Sequence, residues 1–183
     1  GQVAKAVAGT PGYALPGGIE PGMEATETLV MDAMTYASGT AVAEVEVDIE
    51  TGQVRILNFV LGHDSGTVIN PMIVEGQVQG GFAHGVGNAL FEEQHYDDHA
   101  NPLTMTFAEY LLPAAGDVPD AETIHIESPS PLNPLGVKGA GEGGTIPAAA
   151  SIIAAVENAL APFGVELSDV PVTPQKLVSL IAA

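Results

Sequence analysis

The stretch TAVAEVEVDIETGQVRILNFVLGHD, residues 40–64, decides the fold. Its first half alternates between two sets of residues: Val42, Glu44, Glu46 and Asp48 on one side, and Ala43, Val45, Val47 and Ile49 on the other. An alternation of this kind is typical of a strand with one buried face. The sequence ETG at 50–52 marks a turn, after which QVRILNFVLG (53–62) returns as a second strand. The stretch therefore predicts a β-hairpin that turns one face toward a core.

A helical stripe follows the hairpin. It recurs every four residues over 74–94 and comprises Val74, Val78, Phe82, Val86 and Leu90. Glycines interrupt this helix at Gly76, Gly80, Gly81 and Gly85. Each costs on the order of 1 kcal/mol relative to alanine in a helix interior. We therefore expect another backbone or a ligand to approach this helix closely.

The second half of the chain predicts one more strand and two helices. ETIHIESPS (122–130) alternates like a strand, and TMTFAEYLLP (104–113) fits a strand or a short helix. A helix is expected with Thr145 as its N-cap and Pro147 in its first turn. Its buried stripe comprises Ala149, Ile152, Ile153, Val156 and Leu160. A short C-terminal helix should begin after Thr173, with Pro174 at its first position.

These elements predict an α+β fold, a hairpin-based mixed sheet with packed helices, completed by another chain. Residues 1–29 are rich in glycine and proline and show little periodicity. We interpret them as an extended arm that packs on a partner, with the domain at 30–183.

Composition excludes several classes of function. The chain has 23 acidic and 4 basic residues and a formal net charge of −19. Nucleic acid is therefore not an expected partner, because phosphate contacts need lysine and arginine. Cysteine is absent, so this chain offers no disulfide, thiolate zinc site or iron–sulfur cluster. We find no apolar run of the roughly 18–20 residues that span a bilayer and expect no membrane insertion.

One carboxylate lies within a glycine-rich loop. The loop GVKGAGEGGTIP, residues 136–147, contains five glycines and Glu142, just ahead of the predicted helix at 145. Glycine loops before helices often bind phosphate, but a central glutamate would repel it. Two interpretations stay open from the spacing alone. Glu142 is either a solvated loop residue, the commonest state of a glutamate, or a general base that glycines let a substrate reach.

Other polar residues carry weaker signals. His95 and His99 lie four apart, which suits a metal on a helix, but their surroundings favour a turn. His63 and Asp64 end a strand and fit either an acid–base pair or a structural hydrogen bond. The amide of Gln77, flanked by glycines, suits a polar uncharged ligand or plain helix packing. The chain has no GxSxG elbow, Walker loop or HExxH motif.

Two segments together resemble a known family. They are AEVEVDIETGQVRILNFVLGHDSGTVINPMIVEGQVQGGFAHGVGNALFEE (43–93) and SPSPLNPLGVKGAGEGGTIPAAASIIAAVENAL (128–160). They resemble the C-terminal part of the molybdopterin-binding large subunit of the xanthine oxidase and aldehyde oxidoreductase family, the molybdenum hydroxylases. The resemblance covers about residues 25–165, and its motifs are the GQ helix and the GxGE loop in this order. It implies a C-terminal molybdopterin-binding domain.

The resemblance also implies a chemistry. In the family, molybdenum is held by the dithiolene of a pyranopterin, molybdopterin or its cytosine dinucleotide form, and not by protein ligands. The glutamate of the GxGE loop takes a proton from a metal-bound hydroxyl, and the oxygen then attacks an electron-poor carbon. That glutamate corresponds to Glu142, and the glutamine of the GQ motif, which contacts the cofactor, corresponds to Gln77. Gly141 and Gly143 are expected to border the cofactor. Lys138 stands four residues before the glutamate, as in relatives, and its simplest role is a structural ion pair.

The chain departs from the family in length. The family's large subunit is several times longer, so this chain is expected to work only with a partner chain. That partner would carry the rest of the molybdopterin subunit, and [2Fe-2S] and FAD would lie on iron–sulfur and flavin subunits. The expected activity is hydroxylation of an N-heterocycle or aldehyde with water as oxygen source, in the cytoplasm or periplasm. Two alternatives stay open: a non-catalytic scaffold subunit, and part of an aerobic carbon monoxide dehydrogenase-like enzyme.

Overall fold

The chain divides into two compact units, Gly1–Asp32 and Ala33–Ala183. The computed structural model describes residues 1–8, 15, 21–24, 26–30 and 33–183. In the first unit it shows one helix, α1 (Gln2–Val7). The arm predicted over 1–29 is described only in part, and this helix lies within it, so its packing on a partner and the division at residue 30 stay predictions.

The second unit is a three-stranded sheet with helices. Its elements are β1 (Ser38–Val47), β2 (Val54–Asp64), α2 (Pro71–Leu90), β3 (Glu122–His125), α3 (Thr145–Leu160), a 3-10 turn (Ala161–Phe163) and α4 (Pro174–Ile181). The strand order is β1-β2-β3, and β2 is the central strand. It pairs antiparallel with β1 and parallel with β3. The predicted α+β fold with a hairpin-based mixed sheet is confirmed.

The hairpin has the predicted single buried face. The apolar residues at 41, 43, 45 and 47 are half-buried and alternate with exposed ones. In the turn, the Asp48 carboxylate accepts the backbone N–H groups of Glu50 and Thr51, at 2.9 and 3.0 Å. Ile49 was expected on the buried face and is exposed, because it lies in this turn.

The core forms between the sheet and two helices. Phe59 of β2 stacks on Phe82 of α2 with ring centroids 4.2 Å apart. The predicted stripe of α2 is buried at Val78, Phe82, Val86 and Leu90. A second cluster joins α3 to α4 and comprises Val156, Leu160, Val165, Val172 and Leu177. Burial of these side chains, each worth about 1.5–3 kcal/mol, therefore fixes α2, α3 and α4 relative to the hairpin.

The boundaries of the other elements differ in part from the predictions. Helix α3 begins at Thr145, so its N-cap is Gly144 rather than Thr145, and Ala148 rather than Ala149 is fully buried. Thr173 caps α4 as predicted, since its side chain accepts the backbone N–H of Lys176. The strand expected over 122–130 ends at His125. Residues 104–113 form turns and bends, neither strand nor helix.

Helix α3 and the 3-10 turn after it form a stretch of 19 residues, Thr145–Phe163, that is long and apolar enough to cross a membrane. This differs from the expectation that no such run exists. The match rests on length and composition alone, and core helices meet the same criterion. Here Ile152, Val156 and Leu160 are buried in the core, which accounts for their apolar character.

The glycines of α2 fall into two groups, those that face α3 and those that face open space. A Cβ at Gly81 would lie 2.7 Å from the backbone nitrogen of Thr145, and one at Gly85 would overlap the Cβ of Ala148. On the α3 side, a Cβ at Gly144 would overlap the backbone oxygen of Val78. The expected close approach is therefore that of α3 to α2. Gly76 and Gly80 were expected to take part, but a Cβ at either would meet open space.

Gly81→Ala should destabilise the protein while its neighbour Gly80→Ala should not. The added methyl group at 81 presses on the backbone of α3, and such overpacking typically costs about 1–3 kcal/mol. The methyl group at 80 meets no atom, so this variant should gain up to about 1 kcal/mol of helix propensity. Urea unfolding followed by circular dichroism measures both. Equal stability of the two variants would contradict the close helix contact.

Candidate functional site

Backbone hydrogen bonds attach the glycine-rich loop to the end of β2. The carbonyl oxygen of Gly136 accepts the N–H groups of Thr67 and Ser130, both at 3.0 Å. The N–H of Lys138 donates to the carbonyl of Ser65 at 2.8 Å. Gly136 itself has φ +70°, a conformation that favours glycine. The first part of the loop is therefore anchored to the segment that leads from β2 to α2.

A largely buried ion pair reinforces this anchor. Lys138 Nζ lies 2.8 Å from Asp64 Oδ2, and the two side chains are only 13% and 12% exposed. The other carboxylate oxygen of Asp64 accepts the N–H groups of Gly66 and Ser128. The hydrogen bond from Lys138 is the main cause that lowers the pKa of Asp64. The role expected as simplest for Lys138, a structural ion pair, is what the structure shows.

Glu142 borders a cavity of about 530 Å³ between this loop and the start of β1. The lining residues are Thr35, Tyr36, Ala37, Ser38, Gly39, His63, Gly139, Gly141, Glu142, Gly143, Ile146 and Pro147. The backbone oxygen of Glu142 accepts the N–H groups of Thr145 and Ile146, so the residue is fixed to the first turn of α3. Its side chain is exposed, and no described residue forms an ion pair with it.

The predicted site residues come together although they are far apart in the sequence. Gly141 and Gly143 line the cavity on either side of Glu142. A Cβ at Gly141 would lie 3.6 Å from Nε2 of Gln77, so the amide of Gln77 is next to the loop. Gln77 is exposed on α2, on the same side as the open Gly76 and Gly80. The arrangement combines one carboxylate, one amide and exposed glycine backbone.

His63, which the sequence analysis considered only together with Asp64, also lines the cavity beside Glu142. Its side chain is only 1% exposed, and neither ring nitrogen has a hydrogen-bond partner among the described residues. A buried polar group without a partner costs about 1–3 kcal/mol. Burial is the main cause that lowers the pKa of His63, and nearby His125 lowers it further, whereas Asp64 raises it. A signal was available, because His63 follows the buried Phe59 and Leu61 at intervals of two.

The structure bears on two hypotheses about the histidines. The considered pairing of His63 with Asp64 is wrong, since neither ring nitrogen of His63 has a hydrogen-bond partner among the described residues and Asp64 is bound to Lys138. His99 lies in a turn, as favoured, where the Asp97 carboxylate accepts its N–H, and His95 precedes this turn. Across the described ranges, no three histidine, aspartate or glutamate side chains cluster as metal ligands.

Lys138→Met should lower the free energy of unfolding by about 3 kcal/mol, because it leaves the charged Asp64 largely buried without its partner. Lys176→Met is the matched control, since Lys176 pairs with the exposed Asp169 and such surface pairs contribute about 0–1 kcal/mol.

The pKa of Asp64 is lowered from the usual 3.8. Its stabilisation is thus present above about pH 4 and is lost as the pH falls through the lowered value. Urea unfolding should show the difference between wild type and Lys138→Met narrowing below about pH 4, and a constant difference would contradict the assignment.

Comparison with known proteins connects this geometry to a family. The model of the molybdopterin cofactor-binding domain matches residues 4–119. The chain is 42% identical to the nicotine 6-hydroxylase large subunit of Paenarthrobacter nicotinovorans, over 89% of this chain and 20% of that protein. It is 37% identical to the carbon monoxide dehydrogenase large chain of Hydrogenophaga pseudoflava, over 88% of this chain and 20% of that protein.

A solved structure shows the same fold. The crystal structure of quinoline 2-oxidoreductase from Pseudomonas putida 86 matches with a TM-score of 0.85 and 43% sequence identity. The match covers 92% of this chain and 21% of that chain, so the protein described here spans about a fifth of the length of these relatives. The chain therefore belongs to the molybdopterin cofactor-binding domain family, and it corresponds to part of the large subunit of the molybdenum hydroxylases.

Proposed function

We propose that this chain forms one wall of the molybdenum site of a molybdenum hydroxylase and that Glu142 is the general base. The observation that carries the proposal is the environment of Glu142. It is an exposed carboxylate without an ion-pair partner in the described part of the chain, set between glycines beside a cavity of about 530 Å³. A solvated surface glutamate needs neither the cavity nor the adjacent amide of Gln77.

The residues present fit the metal end of a molybdenum pyranopterin. Such a cofactor brings its own dithiolene sulfurs, so the protein needs no thiolate, and this chain has no cysteine. Gln77 supplies amide donors and the exposed Gly141 supplies backbone that a planar ligand can approach, which suits a neutral heterocycle. Gly143 is proposed to border the cofactor on the side away from His63. The cavity lining includes no lysine or arginine among the described residues, and Lys138 is bound to Asp64. The phosphate end of the cofactor is therefore proposed to bind other segments of the large subunit.

When bound, the cofactor supplies the two-electron redox chemistry. The role of Glu142 is to accept the proton released as water becomes the oxygen nucleophile, which requires a base within about 2.6–3.2 Å of that proton, directly or through one water. Its carboxylate has both oxygens available for this transfer. The backbone N–H groups of Thr145 and Ile146 donate hydrogen bonds to the carbonyl oxygen of Glu142. These bonds fix the backbone of Glu142 to the first turn of α3.

The substrate class we propose is an aromatic N-heterocycle, hydroxylated with water as the oxygen source. The names of two relatives at 42% and 43% identity, nicotine 6-hydroxylase and quinoline 2-oxidoreductase, both refer to such heterocycles. An aldehyde, the other substrate class expected from the resemblance, would be hydroxylated by the same chemistry. Carbon monoxide oxidation is the second candidate, favoured by the 37% identity to a carbon monoxide dehydrogenase large chain. A non-catalytic scaffold role would need the Glu142 cavity to serve no chemistry.

The proposed partners are the rest of the large subunit, an iron–sulfur subunit and a flavin subunit. Exposed apolar side chains at the start of α2 support the first of these. Ile69, Met72 and Ile73 are 65%, 78% and 58% exposed. An apolar patch of this kind on a soluble protein marks a contact surface. It lies one to two helical turns before Gln77, so the segment that covers it would also close the cofactor site.

Glu142→Gln in the assembled enzyme should lower kcat by roughly 10²–10⁴-fold, the usual contribution of a general base. The amide keeps the shape of the side chain but does not accept the proton. Molybdenum and pterin contents should stay near those of the wild type, as measured by metal analysis and cofactor extraction.

Glu44→Gln is the matched control, because Glu44 is an exposed carboxylate on β1 that does not line the cavity. It should leave kcat unchanged. Full activity of Glu142→Gln would show that Glu142 is not the base. Loss of molybdenum in that variant would assign it to cofactor retention instead.

A further inference from the structure

The ring of His63 is wedged between the sheet and the loop that carries Glu142. A Cβ at Gly143 would overlap Nε2 of His63 and would lie 3.1 Å from its Cε1, so the imidazole is in contact with the backbone of the residue after Glu142. The ring also lines the cavity. Because Gly143 has no side chain, nothing separates the loop backbone from the imidazole.

The backbone of His63 is held by the strands on both sides of it. His63 lies in the central strand, where it is paired with Gly39 of β1 and with His125 of β3. Its carbonyl oxygen accepts the N–H of Ile126 at 2.9 Å. The backbone that carries the ring is therefore held by the sheet. On its other side, the loop is anchored by Lys138 and by the first turn of α3, and no strand in the described part of the chain pairs with residues 141–143.

We propose that His63 is a positioning residue. Its contact with Gly143 sets the distance of the loop from the sheet, and this distance determines where the Glu142 carboxylate lies. The inference rests on the proposed role of Glu142 as the base. His63 takes no proton itself in this account. The contact is one of shape, because neither ring nitrogen is hydrogen-bonded within the described residues.

The groups around the His63 ring favour its neutral form. The ring of His125 packs edge-on to that of His63, with centroids 6.5 Å apart, and its Nε2 is bound to Glu75 at 3.0 Å. The neighbouring carboxylate of Asp64 is engaged by Lys138. Glu142 is the remaining charged group on the loop above the ring. Burial and His125 both lower the pKa of His63, which is consistent with a neutral imidazole at pH 7 that leaves the Glu142 carboxylate unpaired.

Size compensation between positions 63 and 143 tests the proposal in the complete enzyme complex. Gly143→Ala adds a methyl group where the ring lies, and His63→Ala removes the ring. A displacement of about 1 Å costs on the order of 100-fold in rate, so each variant should lower kcat by about this factor with little change in KM. The double variant His63→Ala/Gly143→Ala should recover at least about tenfold over Gly143→Ala, because the new methyl group then fills the vacated space.

Hydrogen exchange supplies a readout independent of activity. Amides of residues 139–144 should exchange faster in His63→Ala than in wild type and should slow again in the double variant. If Gly143→Ala fails to assemble, recovery of molybdenum-loaded complex in the double variant supports the contact equally. Leu177→Ala, a core truncation at α4, should lower stability without changing kcat, which separates loss of stability from misplacement of the loop.

The outcomes distinguish this inference from the proposed function. If the fold-losses in kcat of the two single variants simply multiply in the double variant, and hydrogen exchange at residues 139–144 does not slow, His63 does not position the loop. This conclusion holds for either result of Glu142→Gln. If Glu142→Gln is fully active but exchange and assembly show compensation, the contact stands, the role of Glu142 is wrong, and with it the catalytic meaning of His63.

Discussion

The close approach of α3 to α2 is the constraint on which the site depends. Gly81 and Gly144 face each other across this contact, and a methyl group on either would strike the backbone of the opposite helix. The approach brings the first turn of α3, and the loop just before it, to the side of Gln77. Without the two glycines the helices would separate, and the loop that carries Glu142 would no longer lie beside Gln77, which stands 65 positions earlier in the sequence.

A second set of contacts fixes the loop from the sheet side. The Lys138–Asp64 pair and the backbone bonds to Ser65 and Thr67 attach the start of the loop to the end of β2. The ring of His63 supports the part around Gly143. The carboxylate of Glu142 is thus the one charged group of the loop that the described protein leaves unpaired. A rigid support beneath an uncommitted carboxylate is the arrangement that general-base catalysis requires.

The sequence predicted the elements well where periodicity is strong. The alternation at 41–47 and the four-residue stripe of α2 correspond to the observed hairpin and helix, because burial of one face dictates both patterns. The ends of elements were less accurate. Thr145 looked like a cap but lies inside α3, since Gly144 is needed at the cap position for contact with Val78.

Candidate site residues could be selected from the sequence, but their contacts could not. Motif resemblance selected Glu142 and Gln77 as candidates, yet a motif does not say which glycine faces a helix and which faces open space. Gly76 and Gly81 look equivalent in the sequence and differ only once α3 is placed. The sequence offered only Asp64 as a partner for His63, because the contact of His63 is with Gly143, 80 residues later. The partner of Asp64 was missed for the same reason, since Lys138 is 74 residues away.

The most direct measurement is a crystal structure of the complete, cofactor-loaded enzyme. The account predicts that molybdenum lies in the cavity between residues 35–39 and the loop at 139–143, with the Glu142 carboxylate directed at the metal site and Gln77 beside the cofactor. A cofactor bound elsewhere, or a Glu142 carboxylate paired with a lysine or arginine of another segment, would contradict it.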